Sequence, residues 1–176
     1  MESLKIVLVC IAAAFLYGIV HDQFTARICI EYFTVFHPPV FRTQSPTLLG
    51  FGWGIIATWW VGAILGVLLA LTARAGPRPK LCFGSLLNSI GKLLLIMAGS
   101  AFVSGGVGYL LASRGMVVLP NWIAFAIPPS TRARFVADWC AHGASYAVGF
   151  MGGIVLCALV YRRRARTLSD VQISLI

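Results

Sequence analysis

The chain is 176 residues long, 59% hydrophobic and 11% charged. A soluble domain carries about 25% charged residues, so a water-soluble core of this size is excluded and one membrane domain over residues 1–176 is expected. The net charge of +9 does not point to nucleic acid, because the cations flank apolar runs as membrane anchors do; the lipid bilayer is the expected partner.

The first apolar run covers about residues 4–20, with Lys5 near its start. It has the outline of a signal peptide, but no convincing small-x-small cleavage site precedes the polar turn at His21, so it is read as a retained first helix. Cys10 follows bulky Val9 and makes a poor lipid-attachment cysteine. A polar stretch then runs from His21-Asp22-Gln23 through Arg27, Cys29 and Glu31 to His37-Pro38-Pro39. Nothing breaks a helix between Gly18 and His37, so helix 1 should extend beyond its apolar part. Ser45-Pro46 supplies a cap and a first-turn proline for a second span at about 47–73, which Gly76-Pro77 stops.

A third span at about 90–112 is closed by Gly115. Met116–Ile127 is apolar but contains Pro120, and reads as an interfacial or re-entrant flap. Pro128-Pro129-Ser130 starts the last helix, which no proline interrupts from Thr131 to about Arg166, a length of about 50 Å. Its apolar part is a fourth span at about 141–161. The outer polar segments are therefore about 21–45 and 113–140. The expected fold is all-α: four transmembrane helices in a tight bundle, with helices 1 and 4 extending on the outer side. Small residues every four positions (Gly62, Gly66, Ala70; Ser100, Ser104, Gly108; Ser145, Gly149, Gly153) let such helices approach closely.

Nine cations (Lys5, Arg74, Arg78, Lys80, Lys92, Arg162, Arg163, Arg164 and Arg166) fall on one side, and five (Arg27, Arg42, Arg114, Arg132 and Arg134) on the other. The positive-inside rule then puts both termini in the cytoplasm and all three histidines outside. The run Arg162–Arg166 reads as a cytoplasmic anchor. Tyr32, Phe33, Phe36, Trp53, Trp122 and Trp139 read as an aromatic belt, and Trp59-Trp60 as packing residues deep in span 2. Gly50-Phe51-Gly52-Trp53-Gly54 is a helix seam, not a phosphate cradle, since no strand precedes it.

Ionisable side chains at membrane depth are costly, so their clusters are functional candidates by default. On helix 4, Arg134, Asp138, His142, Ser145 and Gly149 share one stripe. On helix 1, His21 and Thr25 share a face beside Asp22; Glu31 lies about 80° away from His21, and His37 could fold back at its prolines. The candidate metal ligands are His21, Asp22, Glu31, His37, Asp138 and His142 in some subset, a donor set that suits Zn, Fe, Mn or Cu. His-x-x-x-His and Glu-x-x-His are absent, so the usual di-iron and zinc-protease helices are not present. Arg27–Glu31 and Arg134–Asp138, each four residues apart, could equally be interfacial ion pairs. Cys29 and Cys140 could form a disulfide or stay free.

We expect His21 and His142 to lie close together, with helices 1 and 4 joined through small residues (Ala14, Gly18; Ser145, Gly149). Asp22 and Asp138 would then need a metal, a shared proton, or Arg27 and Arg134. Three functions stand open: an extracytoplasmic His/carboxylate metal site serving a membrane enzyme or redox partner; a non-catalytic accessory subunit of a larger membrane complex or homo-oligomer; and a small transporter with a carboxylate–histidine relay. The string from Tyr17-Gly18 through His21-Asp22-Gln23, Thr25-Ala26-Arg27, Glu31-Tyr32-Phe33-Thr34 and His37-Pro38-Pro39 resembles a small family of uncharacterised bacterial multi-pass inner-membrane proteins. The resemblance reaches into spans 2 and 4. It implies the bacterial inner membrane and transfers no activity.

Overall fold

Glu2–Ile28 forms one unbroken helix, α1. In the computed structural model, which describes residues 1–173 and side chains through residue 166, there is no strand among the described residues. Helix α2 (Pro46–Ile56) starts as its sequence predicts: Ser45 Oγ accepts from the Leu48 N–H at 3.5 Å, and Pro46 occupies the first turn. Helix α3 is Trp59–Arg74, α4 is Leu87–Ser113, the short α5 is Asn121–Ala126, and α6 is Arg132–Ile173. Gly115 leaves α4 at φ +71° and lets the chain turn back, with the Met116 N–H on the Leu111 carbonyl at 3.0 Å. That is a helix end only glycine adopts cheaply.

Four stretches are long and apolar enough to cross a membrane: Glu2–Ile28, Pro46–Arg74, Phe83–Ser113 and Pro129–Arg166. The fold is thus an all-α bundle of four membrane-length helices. The histidines and acids of both polar stretches lie on continuing helix surface, except His37 and Glu31, which follow α1.

Span 2 is not one straight helix as the apolar run 47–73 suggested. It breaks at Ala57-Thr58, where the Thr58 hydroxyl donates back to the Gly54 carbonyl at 2.5 Å. Threonine back-bonding bends helices, and here the break falls where α1 passes closely at Gly18. Trp59 and Trp60, expected to pack inside, are about half exposed at 51% and 47%, on the outer surface of the bundle.

Helix α1 packs along α2 and α3, α3 packs on α6, and α4 packs most extensively on α6; α1 touches α6 and α4 only lightly. The small residues explain this order. A Cβ on Gly18 would lie 2.4 Å from the Gly54 carbonyl oxygen, and one on Gly62 would lie 2.6 Å from the Cys10 carbonyl oxygen. Gly108 meets Cys140, while Gly149 and Gly153 receive Met97 and Leu65. The expected small-residue seam between the first and last helices is therefore corrected. Gly18 faces the α2–α3 break, Gly149 faces α4, and α1 meets α6 through large polar side chains at one end.

Two apolar clusters stabilise the two ends. One gathers Tyr32, Phe33, Leu49, Trp53, Ile123, Ile127 and Phe135 near the histidines. There Ile123 and Ile127 fasten the Met116–Ile127 flap, while Trp122 and Phe125 of α5 stay exposed. The other gathers Ile6, Leu69, Ala73, Leu86 and Val160 at the opposite end.

Candidate metal centre

The histidine-bearing end is built by three segments. Helix α1 presents Tyr17, His21 and Asp22 one turn apart. Helix α6 presents His142, Ser145 and Tyr146. Between α1 and α2, a π-helical turn at Tyr32–Phe36 brings His37 back over the bundle, where the following prolines end the helix. Gly50 of α2 lies so close to the Asp22 backbone that a Cβ there would sit 3.0 Å from it, which fixes α1 at this point. Tyr17 and Ser145 share a hydrogen bond of 2.8 Å across the two helices.

His21 and His142 meet edge to face with ring centroids 4.6 Å apart. His142 Nδ1 lies 2.8 Å from the Asp138 carbonyl oxygen. A carbonyl only accepts, so Nδ1 carries a proton and Nε2 is turned to the cluster. His142 Nε2 lies 3.2 Å from Asp22 Oδ1. His21 Nε2 is buried without any hydrogen-bond partner. One ligand atom from each of His21, Asp22 and His142 lies within 4.8 Å of the others. Two imidazoles and a carboxylate thus converge, one imidazole held by its backbone partner in the manner of metal-ligating histidines.

His37 lines the same cavity, of about 80 Å³, together with Tyr17, Tyr32, Trp53 and Tyr146. Its Nδ1 is likewise 2.8 Å from a backbone carbonyl, that of Tyr32, so its Nε2 is also available. Its ring contacts Trp53 at 4.6 Å and Tyr32 at 5.0 Å between centroids. Burial keeps His37 below its ordinary value of 6.5, against the pull of its Tyr32 hydrogen bond. Trp53 is therefore a cavity wall and not a member of an interfacial belt.

The remaining candidates lie apart. Glu31 accepts from the Cys29 thiol at 3.2 Å and does not line the cavity. Asp138 contributes its carbonyl to His142, while its own carboxyl is 1% exposed and approached by the Cys29 backbone N–H, with no well-formed hydrogen bond to either oxygen. The expected ion pairs do not form among the described residues: Arg27 binds Gln23 and Thr47 instead, and Arg134 is exposed with no acidic partner. Cys29 and Cys140 are free thiols. Cys140 is spent on packing against Gly108, and the Cys29 thiol is held to Glu31.

Sequence reasoning passed over Arg164. Within the basic run it is 2% exposed. Its guanidinium donates to the carbonyls of Thr72 at 2.6 Å, Pro79 at 2.7 Å, Ala75 at 2.8 Å and Arg78 at 2.9 Å. It caps the end of α3 and ties the α3–α4 connection to α6. Its acceptors are backbone atoms, so no sequence pattern marks them; only its place on the α3-facing side of α6 could have singled it out.

Fold and site together define a polytopic helical membrane protein with a largely buried His–Asp–His cluster at one end of its bundle. No protein-family model, no curated protein and no solved structure matches the chain, so function rests on the geometry.

Proposed function

We propose that this protein is a bacterial inner-membrane protein that binds one transition-metal ion at His21, Asp22 and His142, on the extracytoplasmic side, in service of a membrane enzyme or redox partner. The observation that carries the reading is the convergence of the three ligand atoms within 4.8 Å, with His21 Nε2 buried and otherwise unpartnered. An orphaned imidazole nitrogen beside a carboxylate is costly unless something binds it. The nine-to-five cation asymmetry supports the orientation.

Two imidazoles and one carboxylate with open positions are the donor set of non-haem ferrous sites, and they also suit zinc, manganese or copper. The ion would supply a Lewis acid or a one-electron centre. This chain's residues hold His142 in the correct tautomer, shield the site with Tyr17, Tyr32 and Trp53, and leave His37 Nε2 as a further donor.

Elemental analysis of the full chain, purified without chelators and then incubated with each of the four metals, tests the reading. One equivalent of one metal is expected, with affinity lower by about tenfold or more in His142→Ala and His21→Ala. Folded protein that takes up none of the four overturns it. Such metal-free protein would favour the rival reading, a carboxylate–histidine proton relay. That reading is supported by the Asp22–His142 contact, which is already close enough to share one proton.

A further inference from the structure

Between α1 and α4 the bundle is open. A groove of about 1070 Å³ runs there, walled by Val20, Phe24 and Ile28 on one side and Phe102, Val107 and Leu110 on the other. Its floor is small: Gly105, Gly106, Ala137 and Ala141. It extends from Tyr17 to Ile28 on α1 and from Ala98 to Leu110 on α4, about 17 Å of helix. That is close to the ~15 Å of one leaflet's hydrocarbon. Arg27 and Arg134 line its outer end. Arg27 bonds only neutral groups and Arg134 has no acidic partner among the described residues. The one acid of the lining, Asp138, is buried in the floor.

We infer that this groove is a binding site for a single anionic phospholipid of the leaflet on the histidine-bearing side, with its acyl chain between α1 and α4 and its phosphate at Arg134 and Arg27. The length matches one monolayer, and the cations sit where headgroups lie. A second copy of this chain fits less well. Docked symmetrically, it would bring the same two arginines to the same depth, with no acid to meet them. The inference does not use the metal, although Tyr17 and His21 wall both cavities.

Gly106 and Gly99 provide the test. A Cβ at either would meet nothing within 4 Å, so both tolerate a larger side chain, but only Gly106 lines the groove. Native mass spectrometry of the full chain in dodecyl maltoside, with added palmitoyl-oleoyl phosphatidylglycerol or phosphatidylcholine, reads retention directly. Wild type and Gly99→Leu are expected to retain one phosphatidylglycerol with about 25-fold preference, since each of the two arginines near the surface contributes about fivefold. Arg134→Gln should lower that preference about fivefold. Gly106→Leu should lose both lipids, and unchanged metal uptake in these variants keeps the result separate from the fate of the metal reading. Equal retention of the two lipids by wild type, or full retention by Gly106→Leu, overturns the inference. So does a dimer that Gly106→Leu dissociates and Gly99→Leu does not. Should Gly106→Leu fail to fold, the Arg134→Gln preference decides alone.

Discussion

Arg164 and His142 stand 22 residues apart on α6, about 33 Å along the axis, and so belong to opposite ends of the bundle. At the Arg164 end four N–H donors meet four carbonyls, and the charge sits at a helix C-terminus, where the dipole favours it. At the His142 end the accounts stay open: His21 Nε2 and both oxygens of Asp138 make no well-formed hydrogen bond. Buried polar groups in native proteins are nearly always satisfied. Arg78 Nη1 is also unbonded at the Arg164 end, but its guanidinium lies over the Tyr161 ring at 4.0 Å. The Arg164 network itself is closed, and the contrast with the open cluster separates polar residues that hold the fold from polar residues waiting for something to bind.

The largest expected effect breaks the closed end. Arg164→Ala strands four carbonyls and frees the α3–α4 connection, and should cost about 3 kcal/mol or more of folded stability. Arg164→Lys should recover only part of it, because one ammonium has three donors and no planar fork. Thermal unfolding in detergent reads both. If the closed end is purely structural, the fraction that remains folded binds metal as the wild type does.

Next comes the helix contact beneath the open end. Gly18 lies one turn below His21, and a Cβ there has no room against the Gly54 carbonyl or the Thr58 side chain. Gly18→Ala should destabilise by about 1–3 kcal/mol through overpacking. It should also weaken metal uptake, because α1 must move away from the α2–α3 break and carry His21 and Asp22 with it. Normal stability and normal uptake together would show that α1 has slack at this point, contrary to the packing described.

Asp138→Leu should act in the opposite direction. The variant replaces a buried carboxyl that makes no well-formed hydrogen bond with an apolar side chain of similar size, so stability should rise by about 1 kcal/mol. A fall instead would mean that the carboxyl has a bonding partner in the membrane. The contrast with Arg164 is what makes the test sharp: both are buried ionisable groups, and only one is expected to be missed by the fold.

Much of this architecture is legible in the sequence. The four apolar runs, the Ser45-Pro46 start and the Gly115 stop are local signals, and local hydrogen bonding decides them. The stripe Asp138–His142–Ser145 points inward because helical periodicity dictates it, and the fold puts His142 beside His21. The break at Ala57-Thr58 was not legible, since a threonine that bonds Gly54 looks the same in sequence as one that faces lipid. Nor was the partnership of Arg164, whose acceptors belong to a connection that reaches it only in three dimensions. Glu31 and Asp138 looked equivalent to Asp22 as acids. What separates them is direction: only Asp22 lies against Gly50 and turns to His142.

The two ends also differ in their thiols, and here the smallest effect is expected. Cys82, at the Arg164 end, is exposed; Cys29, at the histidine end, is buried among aromatic rings. Burial, helped by the neighbouring Glu31 carboxyl, pushes the Cys29 thiol from its ordinary 9.0 up to about 12. The thiolate is the nucleophile, so at pH 8 a maleimide should label Cys82 readily and leave Cys29 untouched until the protein unfolds. The linkage has a definite sign. A thiol whose value is raised on folding favours the folded state below pH 9, and that contribution fades as pH climbs from 9 towards 12. Cys29→Ala should remove this alkaline sensitivity at a cost below about 1 kcal/mol, the worth of one weak S–H donor. Rapid labelling of Cys29 at pH 8 in folded protein would mean that water reaches the interior of the aromatic cluster beside the histidines. The histidine end would then be an open mouth, and its unpartnered nitrogen and carboxyl would need no ligand to account for them.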